Sequence, residues 1–263
     1  MIRVQLVNQS AILSARDAKD LATGLTKYSR LVSQAWHMEQ FSVSTQPYGA
    51  DDWKFYVVDE FPAGAPQNAL GYHAEQDDGT IVAYISASET MKPYPSPMPD
   101  GSTRQSPFGT IIDGVPTTGT IPGTPDLLWP GSLGEVLSHE LAEAMVDASV
   151  NRAAIDWTNG RAWIMEVGDH ADANRFILTF GLRRIRMVCQ DFTLPSFYDN
   201  KGKAPFSYTG KVSAPFTIDK GAYGQWIPVT GMTTVGLDRD DDADPRIRVT
   251  PSPAVKPLGL IQG

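Results

Sequence analysis

The sequence predicts an α+β protein, a mixed β-sheet packed against two main helices, and three observations carry that prediction. Segments 14–36 and 131–147 each place apolar residues at helical spacing behind a serine suited to cap them. Runs at 1–9, 53–59 and 80–86 alternate or stay apolar over strand-like lengths. No internal repeat or coiled-coil heptad competes with this reading.

Residues 1–9 read as the first strand, without the apolar core of a signal peptide, so a cytoplasmic location is expected. Ser14, with Asp17 three residues on, opens the first helix. Leu21, Leu25, Tyr28, Val32 and Trp36 supply its buried face. Segment 69–73 is a short turn or strand ending in His73, one of four histidines. From 91 to 130 periodicity gives way to Pro, Gly, Ser and Thr, as in a binding excursion. Gly131 and Ser132 open the second helix, with Leu133, Val136, Leu137, Leu141, Ala144 and Met145 at its apolar positions. Segment 151–160 reads as a loop, 161–167 as extended, and the rest to Trp226 as strands and turns. The folded domain is expected to span 1–228. An arm at 229–263 follows, acidic at first and punctuated by proline from 245.

The chain has 263 residues, 41% hydrophobic and 20% charged, enough to bury a core. Its 20 prolines and 23 glycines point to long irregular connections. A net charge of −8 argues against nucleic acid as a partner, since phosphate binding needs clustered Lys and Arg. No apolar run is long enough to cross a bilayer. The single cysteine, Cys189, excludes an intrachain disulfide and reads as a packed thiol in a strand.

Chemistry concentrates at Ser138-His139-Glu140-Leu141-Ala142-Glu143. Residues four apart share a helix face, so His139 and Glu143 can offer an imidazole nitrogen and a carboxylate oxygen to one cation. Glu140 projects beside them, placed to take a proton from water as a general base. This is the logic of the His-Glu-x-x-His zinc helix with a carboxylate for the second histidine. Asp147 lies one turn further, as a ligand or as a group orienting His139. A third ligand is expected from Glu166-Val167-Gly168-Asp169-His170, where Glu166, Asp169 and His170 are all chemically suited. Tyr72, His73 or Tyr223 could stabilise an oxyanion. The carboxylates of 238–244 lack the glycine and distal glutamate of a calcium loop and read as a solvated linker.

The ordered series of motifs resembles a family of uncharacterised zincin-like proteins of bacteria and their phages. In that family a His-Glu-x-x-Glu helix runs into an Asp-Pro turn and an Asn-Arg pair, followed by a Glu-Val-Cys-Asp-Pro-like string. This chain matches with Val146-Asp147, Asn151-Arg152 and Glu166-Val167-Gly168-Asp169. It matches further with Ala69-Leu70-Gly71-Tyr72-His73, Asp191-Phe192, Pro195, Phe197-Tyr198-Asp199 and Gly221-Ala222-Tyr223. It departs at Ala148 and His170, where the family has proline, and at Gly168, where it has cysteine.

The resemblance implies a zincin-like metallopeptidase fold and a zinc-dependent hydrolase of peptide or protein substrates. An edge strand above the motif helix would receive substrate by strand addition, and 82–86 is the expected strand. The alternative implication is a virion component of a phage particle that keeps the scaffold without turnover. It would engage protein partners through 91–130 and 245–263.

Overall fold

The computed structural model describes residues 1–66, 69–92, 106–112, 115–117, 131–229 and 236–239. Strand β1 (Ile2–Asn8) turns Val4 and Leu6 into the core. Helix α1 (Ala15–Trp36) follows. The Ser14 hydroxyl accepts the Asp17 N–H at 3.0 Å and donates to the Asp17 carboxylate at 2.8 Å, so one residue pair closes the first turn. His37 ends the helix in the left-handed region, its N–H returned to the Ser33 carbonyl. Leu21, Leu25, Tyr28 and Val32 are fully buried, as their spacing predicts.

The helix returns the chain to β2 (Phe41–Ser44), parallel to β1. With β3 (Trp53–Val58), β4 (Gly71–Glu75) and β5 (Ile81–Ser86) these strands form a five-stranded sheet in the order β2-β1-β3-β5-β4. All pairings are parallel except that of β4 with β5, a hairpin whose turn places Gly79 at φ 83°. One helical turn, α2 (Ala87–Thr90), capped by Ser86, follows β5.

The sheet order corrects one expectation. Segment 82–86 belongs to β5, an inner strand paired with β3 and β4, and the edge is β4. The near-continuous burial of Ile81, Val82, Ala83 and Ile85 is what a strand covered on both faces requires. Half-exposed β4 pairs with no second strand among the described residues.

Within the 91–130 excursion, β6 (Thr110–Ile112) and β7 (Val115–Thr117) form a short hairpin. Its approach is tied down: the Pro107 carbonyl accepts the Gly134 N–H, and the Phe108 carbonyl accepts the Val188 N–H, both at 2.8 Å. The remainder of the excursion and the arm from 245 lie outside the described residues.

Helix α3 (Leu133–Asp147) is capped by Ser132 and buried almost all round. It packs against α1, β4 and β5. Leu133, Leu137 and Leu141 are fully buried, and truncating any of them to alanine costs about 2–5 kcal/mol. The polar side chains on this helix are therefore held on a rigid support.

Beyond α3, β8 (Ala153–Asp156) pairs with β9 (Arg161–Ile164), so the segment expected as a loop at 151–160 contains a strand. Its turn is closed by the Asp156 carboxylate, which accepts the N–H groups of Thr158 and Asn159. Strands β10 (Arg175–Phe180) and β11 (Ile185–Gln190) form a separate hairpin, and β11 packs on α3. Strand β12 (Tyr223–Pro228) pairs with β9 and with β13 (Gly236–Arg239), giving an antiparallel sheet β13-β12-β9-β8. Pairing thus continues past Pro228, into the start of the acidic segment; the side chains of 238–244 lie outside the described residues. Cys189 is fully buried, and burial pushes its thiol pKa up, as for a packing residue. No helix among the described residues is long and apolar enough to cross a membrane.

Candidate metal centre

Helix periodicity puts His139, Glu140 and Glu143 on neighbouring positions of one face of α3. His139 Nε2 lies 3.2 Å from Glu143 Oε1, and only 13% of the His139 side chain is exposed. The second element is a 3₁₀ turn at Asp169–Ala171, closed by the Ala171 N–H on the Gly168 carbonyl at 3.0 Å. Three residues per turn set Asp169 and Asp172 on the same side and His170 on another. Asp169 Oδ1 is 3.3 Å from His139 Nε2, and the Asp169 N–H donates to Glu143 Oε1 at 3.2 Å. Asp172 Oδ1 approaches the other ring nitrogen, Nδ1, at 3.9 Å. The His139 ring thus has carboxylates near both nitrogens, within ion-pair distance at Nε2 and at 3.9 Å, beyond a hydrogen bond, at Nδ1.

Gly168 permits this closeness. A Cβ there would meet His139 Nδ1 at 2.7 Å and Glu143 Oε1 at 3.1 Å. A side chain at position 168 would displace the His139 ring.

The third element is β4. Strand alternation turns His73 toward α3, in register with buried Ala83, while Tyr72 points to the opposite face. His73 Nδ1 lies 3.2 Å from Glu140 Oε2 and 3.9 Å from Glu143 Oε2. Gly71 makes room: a Cβ there would meet Glu140 Oε1 at 2.9 Å. Two donor groups capable of holding a metal result, His139–Glu143–Asp169 and His73–Glu140–Glu143, with Glu143 common to both.

The electrostatics follow from crowding carboxylates in a dry pocket. Burial opposes a charge on His139, yet Glu143 and Asp169 hold its proton affinity well above the ordinary imidazole value. Burial opposes charge on His73 too, but the Glu140 hydrogen bond and nearby Glu166 raise its pKa to about 9. Burial lifts Glu143 to about 8 against the attraction of His139, with the repulsion of Asp169 adding to the rise. Glu166 is pushed well above the carboxylate range by burial and by Glu143, and Asp172 to about 6 by burial. A cation bound among these groups would compete with protons for them.

The other residues singled out in the sequence are distributed as follows. Glu166 abuts Glu143, and its buried Oε1 has no hydrogen-bond partner, but it lies outside the His139 donor set. Asp147 does not orient His139. Its two oxygens accept the N–H groups of Asn151 at 3.0 Å and Arg152 at 2.7 Å, and the Arg152 guanidinium donates to the Val146 carbonyl at 2.8 Å. The Asp and Asn-Arg motif therefore closes the C-terminus of α3, with Ala148 helical in its place. His170 turns away and donates to or accepts from the Tyr198 hydroxyl at 2.9 Å, inside an aromatic pocket. Tyr72 stacks on Tyr84 across the sheet, remote from the α3 face. Tyr223 is buried with its hydroxyl in reach of the Asp169 carboxylate.

Asp172 was not expected from the sequence, and His73 was expected only as a group that could stabilise an oxyanion. Asp172 was signalled by its three-residue spacing from Asp169, had the 3₁₀ turn been recognised. His73 as a partner of Glu140 was signalled only by its position in a strand, and its place depends on the order of the sheet. A separate cavity of about 450 Å³ at the start of α1, lined by Asn8, Ala15, Ala18, Lys19 and Gln46 among others, gathers no comparable donor set. Compared with known proteins, the chain matches no family model, no curated protein and no solved structure.

Proposed function

We propose that the chain is a zincin-like, zinc-dependent hydrolase of peptide bonds, with the cation held by His139, Glu143 and Asp169. The observation that carries this reading is the convergence of three donor atoms from two rigid elements, His139 Nε2 standing 3.2 and 3.3 Å from the two carboxylate oxygens. Those spacings exceed the roughly 2.7–2.9 Å of a charge-assisted hydrogen bond. They match the edge of about 3.4 Å that tetrahedral bonds of about 2.1 Å generate. One imidazole and two carboxylates are a donor set suited to zinc. The buried, unpartnered Glu166 oxygen in the same pocket is a further polar atom that a cation would satisfy.

Bound zinc supplies Lewis acidity to a water and to a carbonyl oxygen. Glu140 takes the proton of the attacking water and delivers it to the leaving amine. His73, 3.2 Å from its carboxylate, orients it. Asp172 faces the opposite nitrogen of the His139 ring at 3.9 Å and adds negative potential there. The outer edge of β4 offers main-chain groups to an extended peptide, along the strand that carries His73. The series of motifs shared with the zincin-like family supports the same reading.

The test is zinc analysis together with peptide hydrolysis by Glu140→Gln. Hydrolysis should fall by about 10²–10⁴-fold, with at least one equivalent of zinc retained. Undiminished hydrolysis would remove Glu140 as the base, and a protein that takes up no zinc would overturn the proposal.

A further inference from the structure

We infer that the same pocket takes a second divalent cation, held by His73, Glu140 and Glu143 and joined to the first through the two oxygens of Glu143. The inference rests on the first site as proposed above and adds a second ion that it does not require.

The division of Glu143 is the leading observation. Its Oε1 faces His139 at 3.2 Å and accepts the Asp169 N–H, while its Oε2 faces His73 Nδ1 at 3.9 Å. A carboxylate with one imidazole at each oxygen has the form of a bridge between two ions. The second group of donors, like the first, comprises one imidazole and two carboxylates, with all donor atoms within 4.8 Å of one another. His73 Nδ1 to Glu140 Oε2, at 3.2 Å, is a long hydrogen bond whose span is also close to a ligand–ligand edge.

Charge gives an independent argument. Glu140, Glu143, Glu166 and Asp169 are only 3–6% exposed. With both imidazoles neutral and the four carboxylates ionised, as metal binding would leave them, two divalent cations match the four negative charges. Arg175, which neighbours Asp172, is committed to Glu135 at 2.5 Å and supplies no relief. Glu166 Oε1 is buried without a hydrogen-bond partner, and its carboxylate lies beside Glu143. Leaving such an atom unpaired is costly unless a cation answers it. Glu140 would hold the second ion through Oε2, the ion taking the place of the hydrogen bond between that oxygen and His73 Nδ1.

The experiment is titration of the full chain, stripped of metal, with Zn²⁺, read as stoichiometry by calorimetry and elemental analysis. Wild type should bind two equivalents, and His73→Gln one. Manganese-loaded wild type provides a readout independent of any variant: two Mn²⁺ ions sharing a carboxylate give an exchange-coupled spectrum. Saturation at one equivalent, with no change in His73→Gln and no coupling, would overturn the second site and leave the first standing. Absence of any bound metal would overturn both. Two equivalents that survive His73→Gln without spin coupling would assign the extra ion to another surface and also overturn the inference.

Discussion

Asp169 and His170 are adjacent in the chain and belong to opposite environments. Asp169 faces His139, Glu143 and the Tyr223 hydroxyl in a pocket of carboxylates. His170 sits with its ring centroid 5.0 Å from that of Phe197 and 5.5 Å from that of Trp163, and its Nε2 is buried with no hydrogen-bond partner. In the first pocket, carboxylates overcome burial and raise the imidazole pKa of His139 and His73. In the second, burial prevails and lowers His170 to about 4. What a histidine does here is set by which side of one 3₁₀ turn or one strand it occupies, not by its nearness to a motif in the sequence.

The largest effect expected from this contrast is on stability in acid. His170 stays neutral in the fold down to about pH 4, while in the unfolded chain it takes up a proton near 6.5. Between those values the unfolded state binds more protons, so stability falls as pH falls, by about 3 kcal/mol over the window. Urea unfolding of wild type and His170→Gln, measured from pH 7 to pH 4, should differ in slope by that amount, the variant being the flatter. Parallel slopes would mean that the aromatic pocket does not hold a neutral histidine.

A smaller effect separates the motif residues that close the helix from those that form the centre. Asp147→Ala removes the acceptor for two backbone N–H groups after α3 and should lower stability by about 1–2 kcal/mol. Zinc content, measured on the folded variant, should not change. Loss of metal without loss of stability would return Asp147 to the centre.

The parts legible in the sequence are those governed by local rules. The Ser14 and Ser132 caps, the buried faces of α1 and α3, and the convergence of His139 with Glu143 follow from helical period alone. The choice among Glu166, Asp169 and His170 was not legible, because it depends on a turn of three residues that no periodic pattern announces. Nor was the partnership of His73 with Glu140. It requires β4 to lie at the sheet edge beside α3, and hairpin order against parallel neighbours is a long-range property. The misplacement of the edge at 82–86 has the same origin. β2 and β8, only four residues each, were too short to show a period.

The central claim is that His139, Glu143 and Asp169 hold a divalent cation, and calorimetric zinc titration of Asp169→Asn beside His170→Gln tests it most directly. The account predicts that Asp169→Asn weakens zinc binding at the His139 site by at least about 100-fold, and that His170→Gln binds as wild type does. An Asp169→Asn protein with wild-type affinity, or equal losses in the two variants, would contradict it.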